Sequence, residues 1–228
     1  MQIIDGKRWA DALLSQITSR IAHHLSDGHR APVLRIIVVG EDAGSKVYVA
    51  NKLRAAQQTG IQAQAIRLPD TTTTADLSSL VEQLNNDSQT DGFIVQLPLP
   101  AHIDTNTVLA VISPEKDMDR NIESNAVHNL LRLAQIDTNG RQLVVTENNR
   151  PNSLTANDIE EGSIVIDMGF TCIDDPHSKK GYHIVGDVDR ESIAHKAAYL
   201  APVPGGVGPM IIATLLEHTL HAYEHTLR

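Results

Sequence analysis

The chain has 228 residues, a formal net charge of −9 and an ordinary globular composition, 41% hydrophobic and 21% charged. The negative charge and an aromatic content of only 3% argue against a nucleic-acid partner, which needs a basic surface and aromatic stacking platforms. No apolar run approaches the ~20 residues that span a bilayer, and the single cysteine, Cys172, cannot build a disulfide framework. Because the first residues also lack a signal-peptide layout, we expect a cytoplasmic protein without a membrane partner.

The first hundred residues alternate between helical and strand patterns. Apolar residues at helical spacing predict a helix over residues 7–25. A continuous apolar run predicts a buried strand at residues 33–39, and two further strands are predicted at residues 62–68 and 93–96. Helices are expected between these strands, one ending near Gly60 and one with its N-cap at or beside Thr74. Strands separated by helices predict an α/β fold with a parallel sheet and right-handed crossovers.

The helix after the first buried strand carries Tyr48 and Lys52, four positions apart. Residues at this spacing lie on one helix face, with Cβ atoms ~5–6 Å apart. The phenol can hold the ammonium, and a partly buried lysine has a lowered pKa and can transfer protons. Considered alone, the pair is more simply interpreted as a surface tyrosine packed on a lysine stem.

A loop with two prolines, Leu97-Pro98-Leu99-Pro100, follows the third strand. The prolines exclude helix and fix an extended backbone. Ligands of parallel sheets bind beyond the carboxyl ends of the strands, where this loop and the loop before Tyr48 both lie. We therefore expect Leu97 and Pro98 to form the wall of a flat pocket into which Gln96 points its amide.

The remaining elements are shorter and more polar. Lys116-Asp117-Met118-Asp119, considered alone, is typical of a solvated turn. Prolines and glycines between Pro202 and Pro209 predict a rigid turn whose backbone can approach a ligand closely. The other patterns predict short helices at 105–111, 126–133 and 155–160, strands at 142–146 and 163–168, a polar loop at 147–153, a hairpin or exposed loop at 170–185, and a final helix at 207–220.

Taken in order, these motifs resemble those of one family, the bifunctional methylenetetrahydrofolate dehydrogenase/methenyltetrahydrofolate cyclohydrolases. The similar segments are Ile4-Asp5-Gly6-Lys7, Tyr48-x-x-x-Lys52, Val95-Gln96-Leu97-Pro98-Leu99-Pro100, Lys116-Asp117-Met118-Asp119, Ile164-Val165-Ile166-Asp167, Gly186-Asp187-Val188 and Pro202-Val203-Pro204-Gly205-Gly206-Val207-Gly208-Pro209. The resemblance covers residues 1–120 and 160–226.

The resemblance implies a two-domain protein. Residues 1–120 and 207–228 would form the folate and catalytic domain, with a parallel sheet in αβαβαβ order to which the C-terminal helix returns. Residues 121–206 would form a truncated, Rossmann-like dinucleotide domain, and the folate substrate would bind in the cleft between the domains. The family also implies a homodimer built through the second domain.

The resemblance also implies roles for individual residues. Lys52 would move protons while water adds to the methenyl carbon of a cationic folate and the ring opens to 10-formyltetrahydrofolate. Tyr48 would hold and tune Lys52, Gln96 would hydrogen-bond Lys52 or the substrate, and Asp119 would grip the pterin ring. The other expected substrate contacts are Leu97, Pro98, Pro204, Gly205 and Gly206. No metal is implied.

The segment between residues 120 and 160 departs from the family pattern. It lacks the Pro-Cys-Thr-Pro segment and the Gly-x-Ser-x-x-Val-Gly-x-Pro loop that binds the cofactor phosphates, and the chain is shorter than the family pattern. NADP is the cofactor of complete members, and a pyrophosphate needs a glycine-rich turn that opens into a helix. We therefore expect this chain to take no cofactor and to have little or no dehydrogenase activity.

Two functions remain open at this point: a folate enzyme that retains the cyclohydrolase reaction, or a folate-binding or structural pseudoenzyme. Arg120 favours the pseudoenzyme, because it replaces the glycine that ends the family's Lys-Asp-Val-Asp-Gly motif. An arginine adopts positive φ only at a cost of ~1–2 kcal/mol, and its guanidinium can pair with Asp119. Intact Tyr48, Lys52, Gln96 and Asp119 favour the enzyme.

Overall fold

In a computed structural model the chain is described at residues 1–178 and 181–227 and forms two compact units. The first unit comprises Met1–Ala12 and Glu123–Ile211. The second unit comprises Leu13–Ile122 and the residues from Ile212 onward.

The described elements alternate between helices and strands through most of the chain. In chain order they are β1 (Gln2–Ile3), α1 (Gly6–Ser26), β2 (Val33–Val39), α2 (Ala43–Thr59), β3 (Gln62–Leu68), α3 (Thr74–Asn86), β4 (Gly92–Val95), α4 (Thr105–Ala110), α5 (Ile122–Leu133), β5 (Leu143–Thr146), a 3-10 helix (Ala156–Asp158), β6 (Ile164–Asp167), β7 (Thr171–Asp174), β8 (Tyr182–Val185), α6 (Arg190–Ile193), β9 (Tyr199–Ala201) and α7 (Val207–Thr226).

The second unit is built on a parallel sheet in the order β3–β2–β4. The central strand β2 is strongly apolar, because it is covered on both faces; Ile36 and Ile37, on opposite faces, are both fully buried. Helix α2 begins where the Asp42 carboxylate accepts from the amide of Ser45 and ends at Gly60, which has a φ of 88°. Helix α3 begins with a capping box between Thr73 and Asp76.

Helix α7 returns to helix α1 within the second unit. The guanidinium of Arg20 forms an ion pair with Glu224, and His24 contacts the same carboxylate at 3.0 Å. The Tyr223 ring is buried and its hydroxyl donates to the Arg30 carbonyl oxygen at 2.7 Å. The predicted α/β class, the parallel sheet and the returning C-terminal helix are confirmed.

The first unit is built on a second parallel sheet, in the order β1–β9–β6–β5. Strand β6 is buried along its whole length, whereas β5 lies at an edge and is paired on one side. Strands β7 and β8 form an antiparallel hairpin, as expected for residues 170–185, although residues 179 and 180 lie outside the described part.

Several element bounds differ from the sequence prediction. The helix expected over 155–160 is a single 3-10 turn, and α7 continues past residue 220 to Thr226. Strands β1 and β9 and helix α6 were not predicted, because two to four residues are too few to show a periodicity. Gln96 was predicted as the last strand residue but lies one residue beyond β4. Its backbone N–H still donates to the Ile37 carbonyl oxygen of the neighbouring strand at 2.9 Å.

Candidate active site

Lys52 lies on α2, three turns into the helix that follows β2, and only 8% of the residue is exposed. Its Nζ donates to the Oε1 of Gln96 at 3.0 Å. Burial lowers the pKa of Lys52 below its ordinary value, because the ammonium loses water, and the negative charge of Asp119 partly opposes this. An amine with a lowered pKa loses its proton closer to neutral pH than a surface lysine does, so it can take part in proton transfer.

The amide of Gln96 has a defined orientation. Its Nε2 donates to the carbonyl oxygen of Leu97 at 2.7 Å, so that Oε1 faces the lysine. If the side-chain amide were reversed, its NH₂ group would face the Lys52 ammonium, and its oxygen would face the carbonyl oxygen of Leu97. The structure thus brings together Lys52 and Gln96, which the sequence separates by 44 positions.

Tyr48 and the proline-containing loop lie at the surface near the same end of the sheet. Tyr48 is 48% exposed and Leu97 is 44% exposed. Pro98 is also exposed, and the Leu97–Pro98 peptide bond is cis. An aromatic ring and a leucine side chain left open to solvent beside a buried lysine are suited to contact a flat ligand.

The segment Lys116–Asp119 is not the solvated turn that its sequence suggested. It extends the sheet next to β4, because the Phe93 amide donates to the Lys116 carbonyl oxygen at 2.9 Å and the Met118 amide donates back to Phe93 at 3.3 Å. Met118 is only 3% exposed. The pairing of this segment with β4 has no signal in the sequence, because a single pair of backbone bonds leaves no periodic pattern.

The charged side chains of this segment are held in place as well. The Nζ of Lys116 donates to the carbonyl oxygens of Leu84 and Asp87 at the end of α3, where a cation is stabilised by the helix dipole. Burial raises the pKa of Asp117. Asp117 accepts from the amide of Asp119 at 3.2 Å, which fixes the backbone of Asp119.

Arg120 does not carry the backbone strain that was expected of it. Among the residues the structure describes, the non-glycine positions with positive φ are Asn121, Gln135, Asn149 and Asn152. The left-handed position after the motif is therefore Asn121, a residue type that tolerates this conformation. The Arg120 side chain is exposed, and its positive charge opposes the rise in the pKa of Asp117 that burial causes.

The turn at Pro204, Gly205 and Gly206 belongs to the first unit and packs against the start of α1. The amide of Gly6 donates to the Gly205 carbonyl oxygen at 2.9 Å, and a Cβ atom on Gly6 would lie 1.6 Å from the Gly206 carbonyl oxygen. Gly205 has a φ of +99°, which disfavours any other residue. These glycines are thus required by the fold itself, and their contact with a substrate stays a prediction.

The loop after β5 does not form a pyrophosphate cradle. The carboxylate of Asp187, which is fully buried, accepts from Thr146 Oγ1 at 2.9 Å and from the amides of Asn148 and Arg150 at 2.5 and 2.7 Å. A dinucleotide would need such amides for its own phosphates. The next element in the chain is only a three-residue 3-10 helix, so the loop does not open directly into an α-helix as in a strand–turn–helix dinucleotide site.

A cavity of about 620 Å³ opens in the first unit near the carboxyl end of β6. Its charged lining consists of Asp167, Asp189 and Glu191 against Arg190. Burial raises the pKa of Asp167, although backbone amides of Asp187, Val188 and Gly169 stabilise its charge. An excess of carboxylates repels a pyrophosphate, so the charged lining of this cavity does not fit NADP.

Within residues 1–178 and 181–227, no group of His, Cys, Asp or Glu side chains is arranged to hold a metal ion. No helix in that part of the chain has the length and apolarity needed to cross a membrane.

The fold and the site together define a class of protein: an α/β protein of two units whose candidate proton-transfer group is a desolvated lysine beyond the edge of a parallel sheet. Comparison with known families makes the assignment specific. The family model for the catalytic domain of tetrahydrofolate dehydrogenase/cyclohydrolase matches residues 4–119. The family model for the NAD(P)-binding domain of the same enzymes matches residues 124–227. The chain belongs to the tetrahydrofolate dehydrogenase/cyclohydrolase family, a family of enzymes of one-carbon folate metabolism.

Relatives and solved structures match over nearly the whole chain. The bifunctional protein FolD of Flavobacterium psychrophilum is 31% identical over 98% of this chain and 98% of its own length. The bifunctional protein FolD of Chlorobium phaeobacteroides is 34% identical over 98% of this chain and 97% of its own length. The Trypanosoma brucei methylenetetrahydrofolate dehydrogenase-cyclohydrolase, complexed with NADP cofactor and inhibitor, superposes with a TM-score of 0.88 at 28% identity and covers 99% of this chain and 98% of its own.

These comparisons support NADP as the cofactor of the family. They also locate a difference in length. The alignment with the Flavobacterium protein runs over 289 positions, whereas this chain has 228 residues, so at least 61 positions have no residue of this chain opposite them. The expectation that this chain takes no cofactor stays a prediction.

Proposed function

We propose that this protein catalyses the cyclohydrolase half-reaction, the addition of water to 5,10-methenyltetrahydrofolate to give 10-formyltetrahydrofolate. The observation that supports this function is the buried lysine Lys52, whose pKa is lowered by burial and whose Nζ donates to Gln96 Oε1. Residues 1–120 and 207–228 would act as the folate and catalytic domain in the cytoplasm, with residues 121–206 as the reduced second domain.

The neutral amine of Lys52 takes a proton from water as the water oxygen bonds to the methenyl carbon. The resulting carbinolamine opens when a ring carbon–nitrogen bond breaks, the departing nitrogen receives a proton from the Lys52 ammonium, and the hydroxyl group releases its proton to solvent as it becomes the formyl carbonyl. Gln96 orients Nζ, and Asp119 supplies the negative charge that favours the ammonium and accepts N–H bonds from the pterin. Tyr48, Leu97 and Pro98 would form the exposed wall of the site. Pro204, Gly205 and Gly206 are the further proposed substrate contacts.

The decay of methenyltetrahydrofolate absorbance tests this proposal. We expect the protein to accelerate the decay above the rate in buffer, and Lys52→Met to reduce that acceleration by ~10²–10⁴-fold, the usual contribution of a general acid or base. The control is Lys46→Met, which removes an exposed lysine of the same helix that pairs with Glu41. Equal loss in both variants would show that Lys52 is not the proton-transfer group.

The alternative function is a folate-binding pseudoenzyme. Its local support was Arg120 in place of a glycine, through a strained backbone or through pairing with Asp119; the residue does not adopt a positive φ, and the pairing stays a prediction. A protein that binds a folate analogue but leaves the decay at the buffer rate would favour this alternative over the enzyme.

We further propose that NADP-dependent dehydrogenation is lost. Three observations support the loss: the Asp187 carboxylate accepts from the amides after β5, the cavity lining carries an excess of carboxylates, and at least 61 alignment positions lack a residue. Calorimetric titration with NADP⁺ and with NAD⁺ is expected to show no binding tighter than about millimolar, since the phosphates find no cradle. Low-micromolar affinity for either nucleotide would contradict the proposal.

A further inference from the structure

The peptide group between Met118 and Asp119 is held by a side chain at each end. The Nδ1 of His218 lies 2.9 Å from the Met118 carbonyl oxygen. A carbonyl oxygen can only accept, so Nδ1 carries a proton and donates it to this bond. At the other end of the same planar group, the Asp119 amide donates to the Oδ1 of Asp117 at 3.2 Å. A rotation of this peptide would therefore strain two hydrogen bonds at once.

Met118 is fixed by its own packing. The residue is only 3% exposed, and it lies so close to Gly92 that a Cβ atom there would be 2.5 Å from the Met118 Cγ. Its backbone N–H donates to the Phe93 carbonyl oxygen at 3.3 Å. With this residue anchored, the two side-chain bonds set the plane of the next peptide, and with it the direction in which the Cα–Cβ bond of Asp119 points.

His218 lies on a helix that is itself well anchored. Helix α7 is fully buried at Leu216 and Leu220, on either side of His218 in the sequence. Toward its end, Glu224 forms the ion pair with Arg20 of α1. His218 is partly buried, and these residues all belong to the second unit, as Met118 and Asp119 do. A donor on such an element holds its acceptor more precisely than a donor on a loop.

The orientation of the Asp119 carboxylate affects two parts of the candidate site. Burial lowers the pKa of Lys52, and the negative charge of Asp119 opposes this decrease. In the proposed function the same carboxylate accepts N–H bonds from the pterin ring. Charge interactions weaken with distance, and hydrogen bonds weaken when donor and acceptor are misaligned. A group that fixes the backbone of Asp119 therefore contributes to both.

We propose that His218 is a positioning residue of the folate site: by donating to the Met118 carbonyl oxygen, it fixes the orientation of Asp119 and so increases the affinity for the pterin ring. This role rests on the proposed function, in which Asp119 binds the pterin. It gives the returning C-terminal helix a part in substrate binding.

Calorimetric titration with 5-formyltetrahydrofolate, a stable tetrahydrofolate, tests this role. We expect His218→Leu to weaken the affinity roughly 3–10-fold, about what one hydrogen bond contributes. His218→Asn should restore the affinity, because its Nδ2 is attached to Cγ as Nδ1 is and can donate from the same place. The control is His225→Leu, an exposed position on the same helix. Native affinity in His218→Leu, or no recovery in His218→Asn, would overturn the proposal.

A double-mutant cycle tests whether His218 acts through Asp119. In an Asp119→Ala background, titrated up to millimolar ligand, His218→Leu is expected to cause no further loss of affinity. An undiminished loss would show that His218 supports the fold in general and would overturn the positioning role. Binding is measured without turnover, so a protein that binds the folate but hydrolyses none contradicts only the proposed function. A native protein that binds no folate would overturn both.

Discussion

At the scale of single residues, the most informative group is Lys52. It is nearly inaccessible to solvent, and its ammonium donates to the neutral amide of Gln96. A neutral acceptor orients the ammonium without stabilising it as strongly as a carboxylate would. The pKa of Lys52 is therefore lowered mainly by burial, and the charge of Asp119 limits the decrease.

Gln96→Glu places a carboxylate beside the Lys52 ammonium and should change the pH dependence of hydrolysis. A carboxylate about 3.0 Å from Nζ raises the pKa of Lys52, because opposite charges favour the ammonium. The rate should rise with pH as the neutral amine forms, and the variant should show this rise at higher pH. Below that rise the rate falls ~tenfold for each unit of pKa increase. Gln83→Glu, an exposed change on α3, is the control, and an unmoved profile would contradict the assignment of Lys52 as the base.

Lys52→Met should stabilise the fold while it removes activity. The folded-state pKa of Lys52 lies below the 10.5 of an ordinary lysine, so the unfolded chain binds more protons between these two values. The destabilisation by the ammonium is complete below the folded pKa and disappears as pH rises toward 10.5. At neutral pH we expect the melting temperature of the variant to be higher by ~2–4 °C for each kcal/mol relieved. If the difference in melting temperature between Lys52→Met and the native protein grew as pH rose toward 10, the buried ammonium would not be its cause.

The sequence predicted some of these residue contacts and not others. The resemblance to the family implied that Gln96 would hydrogen-bond Lys52 or the substrate, and the strand pattern placed Gln96 and the loop before Tyr48 at the same edge of the sheet. The bonds of Asp187 to Asn148 and Arg150 had no signal in the sequence, because 39 and 37 positions separate the partners. Strain at Arg120 was a wrong prediction, since the backbone placed its left-handed residue one position later.

At the scale of elements, the loop between β5 and the 3-10 helix depends on one carboxylate. Asn149 and Asn152 adopt φ values of 56° and 57°, and the amides of Asn148 and Arg150 donate to Asp187. An anion of the protein therefore orders the loop where the complete family binds cofactor phosphates. This arrangement makes the loop a structural element of the first unit.

Asp187→Asn should destabilise the protein by ~1–3 kcal/mol, because an amide nitrogen replaces an oxygen that backbone donors require, and a buried donor loses its partner. Chemical denaturation measures this change. The control is Asp189→Asn, since asparagine caps the start of α6 about as well as aspartate. Equal stability of the two variants would show that the bonds of Asp187 do not order the loop.

Element length decided which elements the sequence could predict. Strands β2 and β3 have the predicted bounds, because seven residues each show a clear β pattern and turn residues precede and follow them. Strands β1 and β9, of two and three residues, were missed. Their pairing is nonlocal, Gln2 with Tyr199 and Ile3 with Leu200, and no local propensity reports such contacts.

At the scale of the whole molecule, the chain combines a complete set of proposed folate-site residues with a second domain that the sequence predicts to be reduced. Residues 4–119 match the catalytic domain of the family without a missing motif at Tyr48, Lys52, Gln96 or Asp119. The first unit contains an edge strand, a 3-10 turn and a buried carboxylate, and at least 61 positions of the alignment with the Flavobacterium protein have no residue of this chain opposite them. We therefore expect the two activities of the family to have separated in this protein.

The most direct test measures both half-reactions in one preparation of the full chain. Hydrolysis is followed as the loss of methenyltetrahydrofolate absorbance without nucleotide, and dehydrogenation as the appearance of NADPH from methylenetetrahydrofolate and NADP⁺. We expect hydrolysis that depends on Lys52, with no NADPH formation above the rate without protein. Formation of NADPH at a rate comparable to hydrolysis, or hydrolysis no faster than in buffer, would contradict a protein that retains only the cyclohydrolase.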